Sequence, residues 1–326
     1  MMKAAFFNND VPWLRGGHAI DLVYAKGRRK KLAEITDFYP EIITSENFDK
    51  HVGNLQDLDV IFSTWGMVPL TEEQIKKLPK LKALFYASGA TDRFRGPFEA
   101  QGVKVFSATA LQAIAVAEFA LAQVLLAGAG YFRNSRECTN SHTASVAHSY
   151  RGHGNYENRV AIIGNGAISK KLQEFLSLHD LEVVIVPSRA ENRTISLEEV
   201  FKTSFAVVNL LPDRDDNVGV LNGGLFSSMM DSAVFINVGR GRQVNETDLI
   251  RVMKERPDLT ALLDVQWPEP PEDGSELYTM PNVKLSGHIA GSKGSELVRL
   301  STAMIEEFQR FEKGEPLLYE VKPGQL

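Results

Sequence analysis

Two kinds of segment in this 326-residue chain could do chemistry. The first is Gly164-Asn165-Gly166-Ala167-Ile168-Ser169. It follows the β-branched run Val160-Ala161-Ile162-Ile163 and opens a pattern with Ile168, Leu172, Phe175 and Leu176 at helical spacing. The first glycine permits a tight strand-to-helix turn, and the second lets the backbone approach a pyrophosphate. The helix N-terminus then offers free N–H groups and a positive dipole to the anion. A strand before and a helix after are the context that such a glycine pattern requires. Gly164, Asn165, Gly166, Ala167 and Ile168 therefore read as a dinucleotide cradle, with the small Ser169 at the third glycine position.

The second kind comprises three later segments: Ile236-Asn237-Val238-Gly239-Arg240-Gly241, Leu263-Asp264-Val265-Gln266-Trp267-Pro268-Glu269-Pro270, and Leu285-Ser286-Gly287-His288-Ile289-Ala290-Gly291. Each ends or follows an expected strand. Strand carboxyl ends converge on the ligand crevice of a parallel sheet, so Arg240, Glu269 and His288 should meet there. Taken singly, each has a plainer reading. The arginine could be a surface ion-pair partner, the glutamate turn chemistry between two prolines, and the histidine a buried ring satisfied by backbone.

The strand after the cradle ends at Val186-Pro187-Ser188-Arg189. An NAD site usually carries an acidic residue about twenty positions past the glycines, bonded to the ribose hydroxyls. Here Ser188 and Arg189 stand instead, and they suit a 2′-phosphate. This favours NADP over NAD; the other reading is an exposed loop arginine beside Glu191.

Short β-branched runs alternating with helical patterns must position these groups, which indicates parallel α/β sheets. Strands are expected at Lys3–Phe7, Glu41–Thr44, Val60–Ser63, Leu81–Tyr86 and Lys104–Phe106. Six more are expected at Val160–Gly164, Glu182–Val186, Phe205–Leu211, Ala233–Val238, Ala261–Val265 and Val283–Ser286. Thr71-Glu72-Glu73 caps a helix that closes before Pro79. From Ser295 to Lys313, Leu297, Leu300, Met304, Ile305, Phe308 and Phe311 form one apolar face. The polar stretch 133–159 holds His142, His148 and His153 and lacks periodicity, so it reads as an irregular functional segment or interaction arm.

A composition of 44% hydrophobic and 24% charged residues suits a globular protein of about two domains. The net charge of −5 gives no footprint for nucleic acid or an anionic membrane. The run Arg28-Arg29-Lys30-Lys31 reads as a solvated helix face. A single cysteine, Cys138, excludes an internal disulfide and any multi-thiolate metal site, and points to a reducing, cytoplasmic setting. The N-terminal apolar run ends at Asn8-Asn9-Asp10, too early for a signal peptide. Gln112, Glu118 and Gln123 interrupt the apolar stretch Ala108–Phe132, where a charge in mid-bilayer would cost at least about 2.5 kcal/mol. That stretch reads as a buried helix. The histidine spacing gives no metal-ligand pair.

From about Leu81 onward, the ordered motifs resemble the D-isomer-specific 2-hydroxyacid dehydrogenase family. Ala87-Ser88-Gly89-Ala90-Thr91-Asp92 looks like its substrate-carboxylate loop, and Val116-Ala117-Glu118 adds to the likeness. The resemblance implies that Arg240 holds a substrate's carboxylate and carbonyl oxygen with its planar fork of donors. His288 would donate a proton to that oxygen as hydride arrives, and Glu269 would orient the imidazole and favour its protonated form. The N–H groups of Ser88, Gly89 and Ala90 would complete the carboxylate grip. Asp264 would meet the nicotinamide carboxamide, with Leu211, Pro212 and Val238 beside the cofactor. The implied reaction reduces a small 2-oxo acid, as in glyoxylate/hydroxypyruvate reductases, to its D-2-hydroxy acid with NADP or NAD. The arm 133–159 would make a homodimer.

The expected fold is a doubly wound (Rossmann) α/β cofactor domain over 107–291. A smaller flavodoxin-like α/β substrate domain, 1–106 completed by 292–326, would close to exclude water. The chain departs from the family pattern at Gln112 (commonly asparagine), at Gly287 (commonly proline) and at Asn209-Leu210-Leu211-Pro212. Trp65, in Ser63-Thr64-Trp65-Gly66, could form a pocket wall or pack between domains. An alternative on the same fold is a dinucleotide-binding, corepressor-like interaction protein. The lack of a basic surface counts against it.

Overall fold

The computed structural model describes residues 1–14, 17–147, 149 and 152–322. The chain divides into two compact units, Met1–Gln112 with Ser292–Gln325, and Ala113–Gly291.

The first unit holds strands β1 (Lys3–Phe6), β2 (Asp37–Phe38), β3 (Val60–Ser63), β4 (Ala83–Tyr86) and β5 (Lys104–Ser107). They pair in parallel in the order β2-β1-β3-β4-β5, the flavodoxin-like order. Every residue of β3 and β4 is buried, because helices cover both faces and polar alternation has no place there. Phe62, Phe85 and Phe106 line one face, where Phe85 and Phe106 stack at 4.7 Å between ring centroids. Against them packs the helix Leu297–Lys313 through Leu300, Met304, Ile305 and Phe308, all fully buried. Burial of each such side chain stabilises the fold by about 1.5–3 kcal/mol.

The expected strand Glu41–Thr44 does not form. Ile43 makes one isolated bridge to Phe7, and the second strand is Asp37–Phe38. Pro40 cannot donate to a ladder. Asn47 captures the Ile42 carbonyl and the Thr44 N–H with its own side chain, which bends the segment into a turn.

The second unit holds β6 (Asn158–Ile163), β7 (Leu181–Val186), β8 (Ala206–Asn209), β9 (Val234–Asn237), β10 (Thr260–Leu263) and β11 (Val283–Leu285). All pair in parallel in the order β11-β10-β9-β8-β6-β7. The winding reverses between β6 and β8, which places the ligand crevice at their carboxyl ends. The helix Thr109–Gly128 is, among the described residues, the one helix long and apolar enough to cross a bilayer. Its Val116, Ala117, Ala120 and Val124 instead pack on Val160, Ile162, Val208 and Ile236, so it is a core helix of this unit.

Residues 133–159 were expected to be irregular, yet two short helices form there, Tyr131–Glu137 and Ser141–Ala147. Asn140 accepts from Thr143 N at 3.0 Å as a cap, Arg133 pairs with Glu137 across one turn, and Asn134 donates to the Ala147 carbonyl. Only Ala147 of these helices is buried and only Phe132 packs on the unit's core, too little to give the sequence an apolar period. His148, with Tyr150 and Arg151, lies outside the described residues.

Candidate active site

Gly164 follows β6 with φ +116°, a backbone that L side chains avoid, and an added Cβ would lie 2.4 Å from the Leu210 carbonyl oxygen. The strand can therefore turn against β8 only with glycine. Gly166, by contrast, faces open space, and Asn165, Gly166 and Ala167 are exposed. The helix they open, Ala167–Leu176, has no side-chain cap. In the same unit Ser196, Asn222 and Asn245 cap the helices Leu197–Thr203, Gly223–Ser227 and Glu246–Glu255. Uncapped N–H groups beside an open glycine fit a pyrophosphate. Ile168 is part-buried and packs into the unit's core.

At the end of β7, Ser188 is held by two arginines. Arg214 donates to its hydroxyl at 3.3 Å and Arg193 to its carbonyl at 3.0 Å. Arg189 is exposed beside it.

A buried polar network follows β8 and β9. Asn209 donates to Asn237 Oδ1 at 2.9 Å and to Gln243 Oε1 at 2.7 Å; Gln243 donates to the Leu211 and Pro212 carbonyls. The side chains of Leu211 and Val238 turn into the cores on either side of the sheet, so these positions can offer a ligand mainly backbone. The network also sets Arg240, whose N–H donates to Gln243 Oε1 at 3.0 Å and whose Nη1 donates to the Gly239 carbonyl at 2.7 Å. Gly241 is forced by contact, since an added Cβ would lie 1.9 Å from the Gln266 carbonyl oxygen. The sequence reading missed the positioning role of Asn209 and Gln243. Its available signal was an asparagine closing the otherwise apolar strand Val207-Val208-Asn209.

Glu269 follows β10 and His288 follows β11, on adjacent strands. Their side chains meet at 2.6 Å, Nδ1 to Oε1. Nδ1 is the ring nitrogen that this contact engages, and Nε2 makes no hydrogen bond among the described residues. The pair is open to solvent, with the imidazole about half exposed. His288 itself sits at φ +53°, a conformation that is strained for a residue with a Cβ and needs outside support.

That support is Asp264, which is buried. Its carboxylate accepts from Ser286 Oγ at 2.6 Å, Ile289 N at 2.8 Å and Ala290 N at 2.9 Å. Three of its roughly four acceptor positions are thus used by the histidine loop, leaving about one for a carboxamide.

In the first unit, the turns after β3 and β4 lie side by side. Thr64 donates to the Ala87 carbonyl at 2.9 Å, next to Ser88, Gly89 and Ala90. Among the described residues, no acceptor takes the backbone N–H groups of these three. Burial pushes the Tyr86 phenol up, and a hydrogen bond with the Ser88 side chain partly opposes it. Gln112 lies over Gly89, where an added Cβ would stand 3.7 Å from its Cγ. Trp65 packs on this unit's own core and sits edge-on to Trp13 at 6.0 Å.

A sequence model described as the NAD binding domain of D-isomer specific 2-hydroxyacid dehydrogenases matches residues 122–290, just over half of the chain. A glycerate dehydrogenase of Methylorubrum extorquens is 24% identical over 76% of this chain and 82% of its own length. A glyoxylate/hydroxypyruvate reductase A of Citrobacter koseri is 35% identical over 32% of this chain and 34% of its own. The chain spans about half the length, or less, of most of the curated relatives it matches. The apo D-mandelate dehydrogenase of Rhodotorula graminis shares the fold, with a TM-score of 0.76 at 20% identity over 98% of this chain and 97% of that one. With a glycine cradle that fits a dinucleotide, and an exposed carboxylate-paired histidine whose loop is held by the buried Asp264, the chain belongs to the D-isomer specific 2-hydroxyacid dehydrogenase family.

Proposed function

We propose that the protein interconverts a small 2-oxo acid and its D-2-hydroxy acid, with glyoxylate and hydroxypyruvate as the first substrates to try. The single observation that carries this is the 2.6 Å contact of His288 Nδ1 with Glu269. It orients an exposed imidazole with Nε2 available for proton exchange, at the carboxyl end of a dinucleotide-binding sheet. Nicotinamide, when bound, supplies or accepts the hydride. His288 Nε2 gives its proton to the carbonyl oxygen on reduction and takes it back on oxidation. Arg240 holds the carboxylate and the polarised oxygen. The Ser88–Ala90 N–H groups receive the carboxylate, and the turn at Gly164–Ala167 receives the pyrophosphate.

NADP is the cofactor we favour, because Ser188 is pre-positioned by Arg214 and Arg193 with the exposed Arg189 beside it. The reading extends to a cytoplasmic homodimer. In it, the exposed Tyr131 and Val146 of the two polar helices would face a second copy of the chain.

The test is turnover of glyoxylate, hydroxypyruvate and pyruvate by the wild type and by His288→Asn, with cofactor binding followed through tryptophan quenching. Reduction that falls about 10²–10⁴-fold in the variant, with cofactor binding kept, is the expected result. Cofactor binding without turnover of any oxo acid would overturn the enzyme reading in favour of an interaction protein.

A further inference from the structure

The three open N–H groups of Ser88, Gly89 and Ala90 lie on a turn, and a turn alone does not aim its amides. The Ser107 hydroxyl does. Ser107 is buried at the end of β5, and its Oγ lies 2.6 Å from the Gly89 carbonyl and 3.0 Å from the Ser88 carbonyl. Its one proton is shared by these two oxygens. The Thr109 hydroxyl lies 2.8 Å from Oγ, and Thr109 N–H donates to Oγ at 3.3 Å.

In a trans peptide the C=O and the N–H point in opposite directions. Drawing the Ser88 and Gly89 carbonyls toward one hydroxyl therefore turns the N–H groups of Gly89 and Ala90 together to the far side. Successive N–H groups aimed one way make an anion-binding concavity. Ser107 is fixed in turn by the C-terminal segment. Its N–H donates to the Tyr319 carbonyl at 3.0 Å, and the fully buried Glu307 accepts from Leu318 N at 2.8 Å and Tyr319 N at 2.9 Å.

We propose that Ser107 is a positioning residue that sets the carboxylate affinity of the Ser88–Ala90 loop by orienting two peptide planes through one hydroxyl. The proposal deepens the 2-oxo acid reading and rests on it.

The test compares Ser107→Ala, Ser107→Thr and Ser107→Val. Threonine keeps the hydroxyl and valine has the same shape without it. Two quantities are measured: KM and kcat for the best 2-oxo acid, and calorimetric binding of oxamate to the NADPH- or NADH-loaded protein. The expected result is a KM and an oxamate Kd raised tenfold or more in the alanine and valine variants. kcat should stay within twofold, cofactor affinity should not change, and threonine should restore both constants. Equal oxamate binding by all four proteins, or a parallel loss of cofactor binding, would overturn the proposal. Oxamate binding that depends on Ser107 in a wild type without turnover would sink the dehydrogenase reading alone. A wild type that binds no oxamate would sink both.

Discussion

Asp264 holds His288 through the main chain, at the histidine's own N–H and at the two that follow it. The Asp264 carbonyl accepts from His288 N at 2.9 Å, while its carboxylate takes the N–H groups of Ile289 and Ala290. The strained φ of the histidine is thus maintained by one buried acid rather than by the loop's own sequence, in which Gly287 brings no rigidity of its own.

Asp264→Asn tests that relationship. The amide keeps one acceptor oxygen but turns an NH₂ toward an N–H donor, and a buried unsatisfied group costs about 1–3 kcal/mol. A lowered Tm together with a kcat reduced about tenfold or more is expected. A variant with normal kcat would show that the loop holds His288 without the acid.

The two cradle glycines should fail in different ways. Gly164→Ala puts a methyl against the Leu210 carbonyl at a φ that alanine resists, so thermal stability should drop by several degrees. Gly166→Ala adds a methyl where nothing lies within 4 Å. Its Tm should hold while cofactor Kd rises tenfold or more, because the methyl occupies the ground a pyrophosphate needs. Calorimetric titration beside a melting curve separates the two.

In the proposed NADP reading, cofactor choice rests on Arg189. Replacing it with alanine should weaken NADPH binding about ten- to a hundredfold, as loss of a charge-assisted hydrogen bond worth about 1.5–3 kcal/mol predicts. NADH affinity should stay within twofold. Equal effects on both cofactors, read by tryptophan quenching, would remove Arg189 from the 2′-phosphate site.

Acid stability should report on the turn that leads into β9. Asp258 meets Arg256 through two hydrogen bonds of 2.9 Å and accepts from Ser232 N at 2.8 Å. Burial alone would raise its carboxyl, but the Arg256 and Ser232 hydrogen bonds outweigh it and hold the group below the usual carboxylate range. A carboxyl depressed in the folded state stabilises above its unfolded value of about 3.9, and that contribution is lost as pH falls through the folded one. The Tm advantage of the wild type over Asp258→Asn should therefore be full at pH 6 and shrink below about pH 4. A gap independent of pH would contradict the assignment.

Much of this protein is legible in its residues. The apolar strands, the glycine turn after β6 and the face of the helix Leu297–Lys313 are written locally, because backbone sterics and hydrophobic period act over a few neighbouring positions. The meeting of Glu269 and His288 could be read from the alternation of strands and helices, since a parallel sheet carries its strand ends to one side, where Arg240 also follows β9. Three things were left to the tertiary structure. The polar arm folds into two helices through caps and ion pairs that leave no apolar period. Asp264 spends its carboxylate on the histidine loop, and Ser107 gathers two carbonyls eighteen and nineteen positions earlier in the chain. Such side-chain bonds join residues far apart in sequence and depend on burial and direction, which no spacing encodes; only the packed strands bring the partners within reach.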